Sequence, residues 1–487
     1  MLVPPPDDEE HGCAWRTYAE HLGTKVDALQ AELEVLKRAF ERRNEKMGKM
    51  PKVPRPPRTP EEIAERRTEQ ALLRAEKVVT EEKTEPVPEA MKKCHLCGGT
   101  SFRSVGTGKP STLFSYVPGY FRRTIRTREV VACRCGGCVL TAPAPERWAE
   151  KTRYDASFVA HVVTSKCLVV TPLYRLEQSF ARLGMPIARS TMNDLFRRAG
   201  QKLERLRAPL FDVIANDFAV HVDETSFKMT KQKSKAFIWA FIGRTMTGYR
   251  FDLTRGADVP VDVLGDSTGV VICDDYRGYD RLARKGARLR AGCLAHARRK
   301  FFEAGDVPEA LEALELINGM YRVEHEAERR EVVGSDEHLA LRRELARPLF
   351  VRLLLLCREL RRAHGPKTLL GRAARYTWRN QRELGRALRD ARIAVDNNRA
   401  ENALRIVALG RKNFLFVHSE DAGKELALLY SLVVSCARLG VNPVEYLADI
   451  LDRIDKTADD HLRELLPDRW TPPRGPPAPA DIAIFDA

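Results

Sequence analysis

Three stretches of the chain carry acids in a pattern suited to phosphoryl transfer. AVHVDETSF (219–227) and GVVICDDYRGYD (269–280) are β-type runs ending in aspartate, Asp223 in the first and Asp274 with Asp275 in the second. AVDNNRAENALRIVALGRKNFLF (394–416) reads as a helix start with Glu401 in its first turn, apolar residues at helical spacing, and Arg399, Arg405, Arg411 and Lys412 interleaved. Strands bring acids at their ends together in a sheet, and a third acid on a helix packed over that sheet completes a three-carboxylate site. Hard Mg²⁺ prefers such oxygen ligands. Two such ions about 4 Å apart stabilise both the attacking and the leaving oxygen of an in-line displacement. Rivals stand beside each aspartate, Glu224 next to Asp223 and Asp275 next to Asp274. Asn398 followed by Glu401 also fits a capping box, in which the acid only satisfies backbone N–H groups.

A second constellation is built of thiols. Cys94 and Cys97 lie in CHLCGG, and Cys133, Cys135 and Cys138 lie in CRCGGC. Two knuckles of this kind predict a zinc ribbon, because four thiolates suit tetrahedral Zn²⁺ and glycine permits the tight turn. The x2 spacing favours Cys94, Cys97, Cys135 and Cys138, with Cys133 as the substitute and His95 a weaker candidate. A closed four-ligand shell makes this a structural site. Between the knuckles, GYFRRTIRTREVVAC alternates apolar and basic residues, as a DNA-facing hairpin or a solvated strand would. Cys293-x2-His296 has ligand spacing without a second pair nearby, so a packed helix carrying Arg298, Arg299 and Lys300 towards phosphates is the expectation there.

The stretches HVDETS, CDDYRGYD, GCLAHARRKFFEA and DNNRAENALRIVALGRKNFLF, in this order, resemble the DDE-type transposases of the insertion-sequence 66 family. The resemblance covers roughly residues 20–455. It implies catalytic, Mg²⁺-binding acids at Asp223, Asp274 and Glu401 (two ions, with Mn²⁺ as a substitute) and a ribonuclease H-like core. It also implies double-stranded DNA as partner, both terminal repeats and target, and small accessory proteins. The implied activity is cutting of element ends and joining of the 3′-OH to target DNA. Three departures stand near the site: Asp275 where the family has glycine, and Asn402 and Ile406 where it has arginine and proline. The rival functions are a nuclease on the same core that cuts without joining, and an inactive DNA-binding regulator.

These residues must be positioned by a mixed, multidomain α+β chain of 487 residues. Its 82 Lys and Arg against 67 Asp and Glu leave a net charge of +15, which suits a polyanion partner. No apolar run is long enough to span a bilayer, and the acidic N-terminus lacks a signal-peptide core, so a cytoplasmic, nucleoid-associated protein is expected. Its 11 cysteines then point to metal binding or burial rather than disulfides. Leu22, Val26, Leu29, Leu33, Leu36 and Phe40 alternate in steps of four and three and predict a self-associating coiled coil within residues 1–49, hence a homo-oligomer, with an amphipathic helix packed within the chain as the alternative.

A Pro-rich, charged linker follows (50–92), then the zinc ribbon (93–147). Residues 148–212 read as helical. ARLGMPIARSTMNDLFRR in that region resembles a helix-turn-helix, with Ser190 or Thr191 as cap and Arg189, Arg197 and Arg198 on phosphates; a plain helical hairpin fits the same pattern. From there the period becomes two, and AVHVDETSF, KAFIWAFIG, GYRFDLT and GVVICDDY predict four strands, with VPVDVLGDS helical (213–285). The long stretch before Glu401 predicts a helical insertion (286–393), in which Trp378 reads as core rather than as a stacking platform. The core helix and C-terminal helices occupy 394–455, and a tail 456–487.

Overall fold

A computed structural model describes residues 59–65, 68, 72, 121, 130–132, 139–141, 146–230, 235–284, 288–414 and 417–472. The coiled coil and the ribbon cysteines Cys94, Cys97, Cys133, Cys135 and Cys138 lie outside the described residues. Two short antiparallel strands, Val130–Ala132 and Val139–Thr141, flank the CRCGGC segment.

The centre of the molecule is a five-stranded mixed sheet. Its strands are β1 (Ala219–Phe227), β2 (Ala236–Ile242), β3 (Thr247–Asp252), β4 (Gly269–Ile272) and β5 (Arg288–Ala291), in the order β3-β2-β1-β4-β5. The first three form an antiparallel meander, while β4 and β5 add in parallel. The first four coincide with the period-two runs, and a helix, Asp258–Leu264, connects β3 to β4 as expected. The fifth strand, RLRA, falls inside the stretch read as helical insertion, so the sheet continues through Ala291. Its Arg288 is buried, and the guanidinium donates to the carbonyls of Ala215, Asp217 and Val270 at 2.7, 2.7 and 3.1 Å.

Ahead of the sheet lie α1 (Ala156–Cys167), α2 (Leu173–Arg182) and α3 (Arg189–Lys202). Gly184 takes φ +77° in the turn between α2 and α3, a conformation that costs glycine little. Neither Ser190 nor Thr191 caps α3; the cap is Ala188, with no side-chain bond. Arg197 turns inward to Glu425, donating at 2.8 and 3.1 Å.

After β5, helices α4 (Leu294–Glu303), α5 (Pro308–Arg329), α6 (Arg347–Ala363) and α7 (Leu369–Arg379) pack around Phe301, Ile317, Leu353 and Ala373, a core separate from that of the sheet. Helix α8 (Asn398–Phe414) then returns to β1 and β2, and α9 (Glu420–Arg438) runs along β3. Being an edge strand, β3 leaves alternate N–H groups unpaired. Ser435 and Ser431, one turn apart on α9, accept from Thr247 and Tyr249 at 2.9 and 2.7 Å and close that edge. Cys167, Cys273, Cys293, Cys357 and Cys436 are buried free thiols. Among the described residues no helix is long and apolar enough to cross a membrane.

Candidate active site

Strand register sets the first two acids side by side. His221 on β1 pairs with Ile272 on parallel β4. Two residues further along each strand direction stand Asp223, in the middle of β1, and Asp274, two residues past the end of β4. Asp223 Oδ1 accepts the Glu224 N–H at 2.9 Å, and Asp274 Oδ1 accepts the Tyr276 N–H at 2.9 Å.

The rivals are engaged elsewhere. The Glu224 side chain is buried, with Arg255 at 2.5 Å on one oxygen and the Tyr279 hydroxyl donating at 2.5 Å to the other. Asp275 is ion-paired with Arg290 at 3.3 Å and with Arg379, and so faces the helical region.

Glu401 is brought over the sheet by Asn397, whose side chain is buried. Its amide donates to the Val222 carbonyl at 2.9 Å, its oxygen meets His221 Nδ1 at 3.1 Å, and its backbone N–H donates to Cys293 Sγ at 3.2 Å. The start of α8 is thereby fixed to β1 one residue before Asp223. No capping box forms: Asp396 Oδ1 accepts the Asn398 N–H at 3.0 Å, and Glu401 Oε1 is buried without a hydrogen-bond partner. The neighbours of Glu401 are His296 Nδ1 at 3.8 Å and Arg299 at 3.6 Å. Of the departures, Asn402 is exposed and Ile406 packs against the main core.

The acids sense one another. Burial pushes the Asp223 carboxyl up to about 7, the Glu224 charge adds to this, and Asp274 and Glu401 add further; the Glu224 N–H partly offsets it. Burial also raises Glu224, against the lowering bonds from Tyr279 and Arg255. His296 is held below the ordinary imidazole value by burial, with Glu401 and Asp274 opposing. A carboxylate cluster that repels its own charge at neutral pH, with an orphaned buried oxygen at one corner, fits a divalent cation. His296 and Asn397 were the residues least visible beforehand. The C-x2-H spacing signalled His296, but its partner Glu401 lies far along the chain.

A match to the model described as "Transposase IS66 family" extends over residues 151–425, and a second match, "IS66 C-terminal element", covers residues 431–467. The chain belongs to the IS66 family of transposases. Its relatives include three proteins of Sinorhizobium fredii (strain NBRC 101917 / NGR234), each called an uncharacterized protein. One, y4jD, is 33% identical over 411 residues, 79% of each chain. Another, y4qI, is 30% identical over 382 residues, 74% of this chain and 70% of its own. The third, y4hP, is 27% identical over 423 residues, 80% of this chain and 75% of its own.

A transposase of this family acts on DNA, so the places of the basic residues matter. Arg189, Arg299, Arg405 and Lys412 are exposed. Arg198 donates to the Glu150 carbonyl at 2.6 Å, and Arg411 donates to Thr225 and to the Ser226 carbonyl at 2.9 and 2.6 Å, tying α8 to β1. Arg298 is buried and donates to Asn318 at 2.9 Å. Lys300 lies 4.8 Å from the Tyr376 ring centre, at one wall of a cavity of about 770 Å³ in the helical region. Arg361, Arg362, Arg372, Trp378 and Arg379 also line it. Trp378 packs partly against the helical core and partly under Arg361, 4.5 Å away.

Proposed function

We propose that this transposase is a metal-dependent polynucleotidyl transferase with a ribonuclease H-like core, which cuts the ends of a bacterial insertion sequence and joins the 3′-OH to target DNA. The observation that carries the reading is the position of Asp223 on β1 beside Asp274 just past the adjacent parallel strand β4, with the Asp223 carboxyl raised by burial and by the charges of Glu224, Asp274 and Glu401. Asp223, Asp274 and Glu401 are the residues that would hold two Mg²⁺ ions. Such ions supply activation of the attacking oxygen and neutralisation of the leaving one.

The chain's own residues orient this set. Arg255 and Tyr279 engage both oxygens of Glu224, and Asn397 holds α8 on β1. Arg379 pairs with Asp275 and also lines the basic cavity, which supports a path for a DNA backbone running from that cavity to the acids. The coiled coil as a homo-oligomer contact and the zinc ribbon as a grip on terminal repeats complete the proposal.

Excision and joining in cells test it, using a plasmid with this gene and its native flanks. Joined products are expected from the wild type and none from Asp274→Asn or Glu401→Gln. Products undiminished in those variants would remove the acids from the chemistry. Cut ends that are never joined would make the protein a nuclease, and DNA binding without any cut product a regulator.

The cavity has its own test. Arg362 and Arg372 are exposed on it. Replacing both with alanine should weaken DNA binding on every sequence alike. It should also flatten the slope of log affinity against log salt by about 1.8, the release of counterions at two phosphates. An unchanged slope would take the cavity off the DNA path.

A further inference from the structure

Two of the buried polar atoms without a hydrogen-bond partner face each other. They are His296 Nδ1 and Glu401 Oε1. Their separation of 3.8 Å is too long for a hydrogen bond. An orphaned buried polar atom has given up its water and gained no bond in return, so a facing pair is unfavourable unless something lies between them. One cation with ligand bonds of about 2.1 Å spans such a gap and satisfies both atoms.

The surroundings leave that position open to a cation. Arg299 approaches the other carboxylate oxygen of Glu401 at 3.6 Å, leaving Oε1 untouched. Cys293, His296 and Glu401 each bring a ligand atom within 4.8 Å of the others. The Cys293 sulfur already accepts the Asn397 N–H, which makes it a brace for the helix start. The two facing residues are also fixed to each other through the backbone. The Leu294 N–H at the start of α4 donates to the Val395 carbonyl at 2.9 Å, so the turn carrying His296 is tied to the segment leading into Glu401. A lone pair on Nδ1 is available in the tautomer that carries its proton on Nε2.

We propose that His296 is a ligand, through Nδ1, of the divalent ion held by Glu401, and that this nitrogen donor makes the site select Mn²⁺ over Mg²⁺. The inference rests on the carboxylate site proposed above. Mg²⁺ favours oxygen and gives up its waters reluctantly, whereas imidazole suits the transition ions. An all-carboxylate site lacks that bias.

The test is spectroscopic and needs no turnover. Full-length protein titrated with Mn²⁺ and read by electron spin-echo envelope modulation is expected to show the ¹⁴N coupling of a bound imidazole. His296→Gln should remove the coupling and weaken Mn²⁺ about tenfold or more, while Mg²⁺ affinity changes much less. Asp223→Asn should weaken both ions alike. Mn²⁺ bound without nitrogen coupling in the wild type overturns the proposal, as does coupling that survives His296→Gln. In either case the carboxylate site stands if Asp223→Asn still weakens both ions. Binding indifferent to Asp223→Asn, or no binding at millimolar Mn²⁺, places the failure in the carboxylate reading itself. The wild-type spectrum decides the point, so a variant that does not fold leaves the proposal open to refutation.

Discussion

Asp223→Asn is expected to eliminate DNA cleavage, by about a thousandfold or more, and at the same time to make the metal-free protein more stable. The loss follows from removing one member of a constellation that acts as a unit. The gain follows from linkage. An ordinary aspartate releases its proton near 3.8, whereas Asp223 keeps it to about 7, because of burial first and the neighbouring acids second. Between those values the native state holds a proton that the unfolded chain has lost. The Asp223 contribution to stability is therefore most favourable below about pH 4 and is lost as the pH rises to about 7. At pH 8 the whole penalty is present, about 2–4 kcal/mol for a shift of this size in a partly solvated group. Asparagine keeps the shape and carries no charge, so the variant should melt higher than the wild type at pH 8 and about equally at pH 4. Mg²⁺ should raise the wild-type midpoint by mass action and leave the variant's nearly unchanged. Thermal melts across pH, with and without Mg²⁺, check this; a variant that melts lower at pH 8 would mean that Asp223 is not under electrostatic strain.

The three acids that the fold groups stood out in the sequence because each lies in or beside a short element whose pattern is local. β1 shows as an apolar alternation that carries Asp223, β4 as a short apolar run followed by Asp274, and α8 as helical spacing with Glu401 in its first turn. The sequence left the choice within each acidic pair open, because the deciding partners are remote. Glu224 is engaged by Arg255, which follows β3, and by Tyr279, which follows β4. Asp275 is ion-paired with Arg290 on a strand and Arg379 on a helix. Nothing next to either residue in the chain foretells those bonds.

β5 was missed for a related reason. RLRA alternates over only four residues and is buried out of step with that alternation, Leu289 being exposed and Arg288, a residue type rarely found in a core, buried. It is stable there because three backbone carbonyls and the Ser267 hydroxyl accept from its guanidinium, acceptors that only the folded sheet brings together. The arginines of the helix-turn-helix pattern illustrate the converse. Spacing on α3 suggested a basic outer face, yet Arg197 is held by Glu425 of α9, a partner that only the closed fold supplies.

Arg342→Ala is expected to destabilise the protein by about 3–5 kcal/mol and to disorganise Glu401 from a distance. Arg342 is buried at the start of a π-turn, Arg342–Ala346, just ahead of α6. It donates to both oxygens of Glu324 at 2.8 and 2.6 Å, and to the carbonyls of Ala387, Asp390 and Ile393 at 2.8, 3.2 and 2.9 Å. Those carbonyls belong to the irregular chain that ends in Asp396, Asn397 and Glu401. Although burial alone would raise Glu324, its bonds to His338 and Arg342 hold it below the ordinary carboxylate value. Removing the arginine therefore strands a charge and three acceptors at once, the costly way to break a buried pair. Adding Glu324→Leu should recover only the part due to the stranded charge, because the three carbonyls stay unpaired. The double-mutant cycle separates the two contributions. Joining activity should stay low in the double variant even where stability is partly regained, since the lead into Glu401 is still unpinned. Full recovery of activity in the double variant would mean that the segment from Ala387 to Ile393 holds its course without Arg342, and that Asn397 alone positions the third acid.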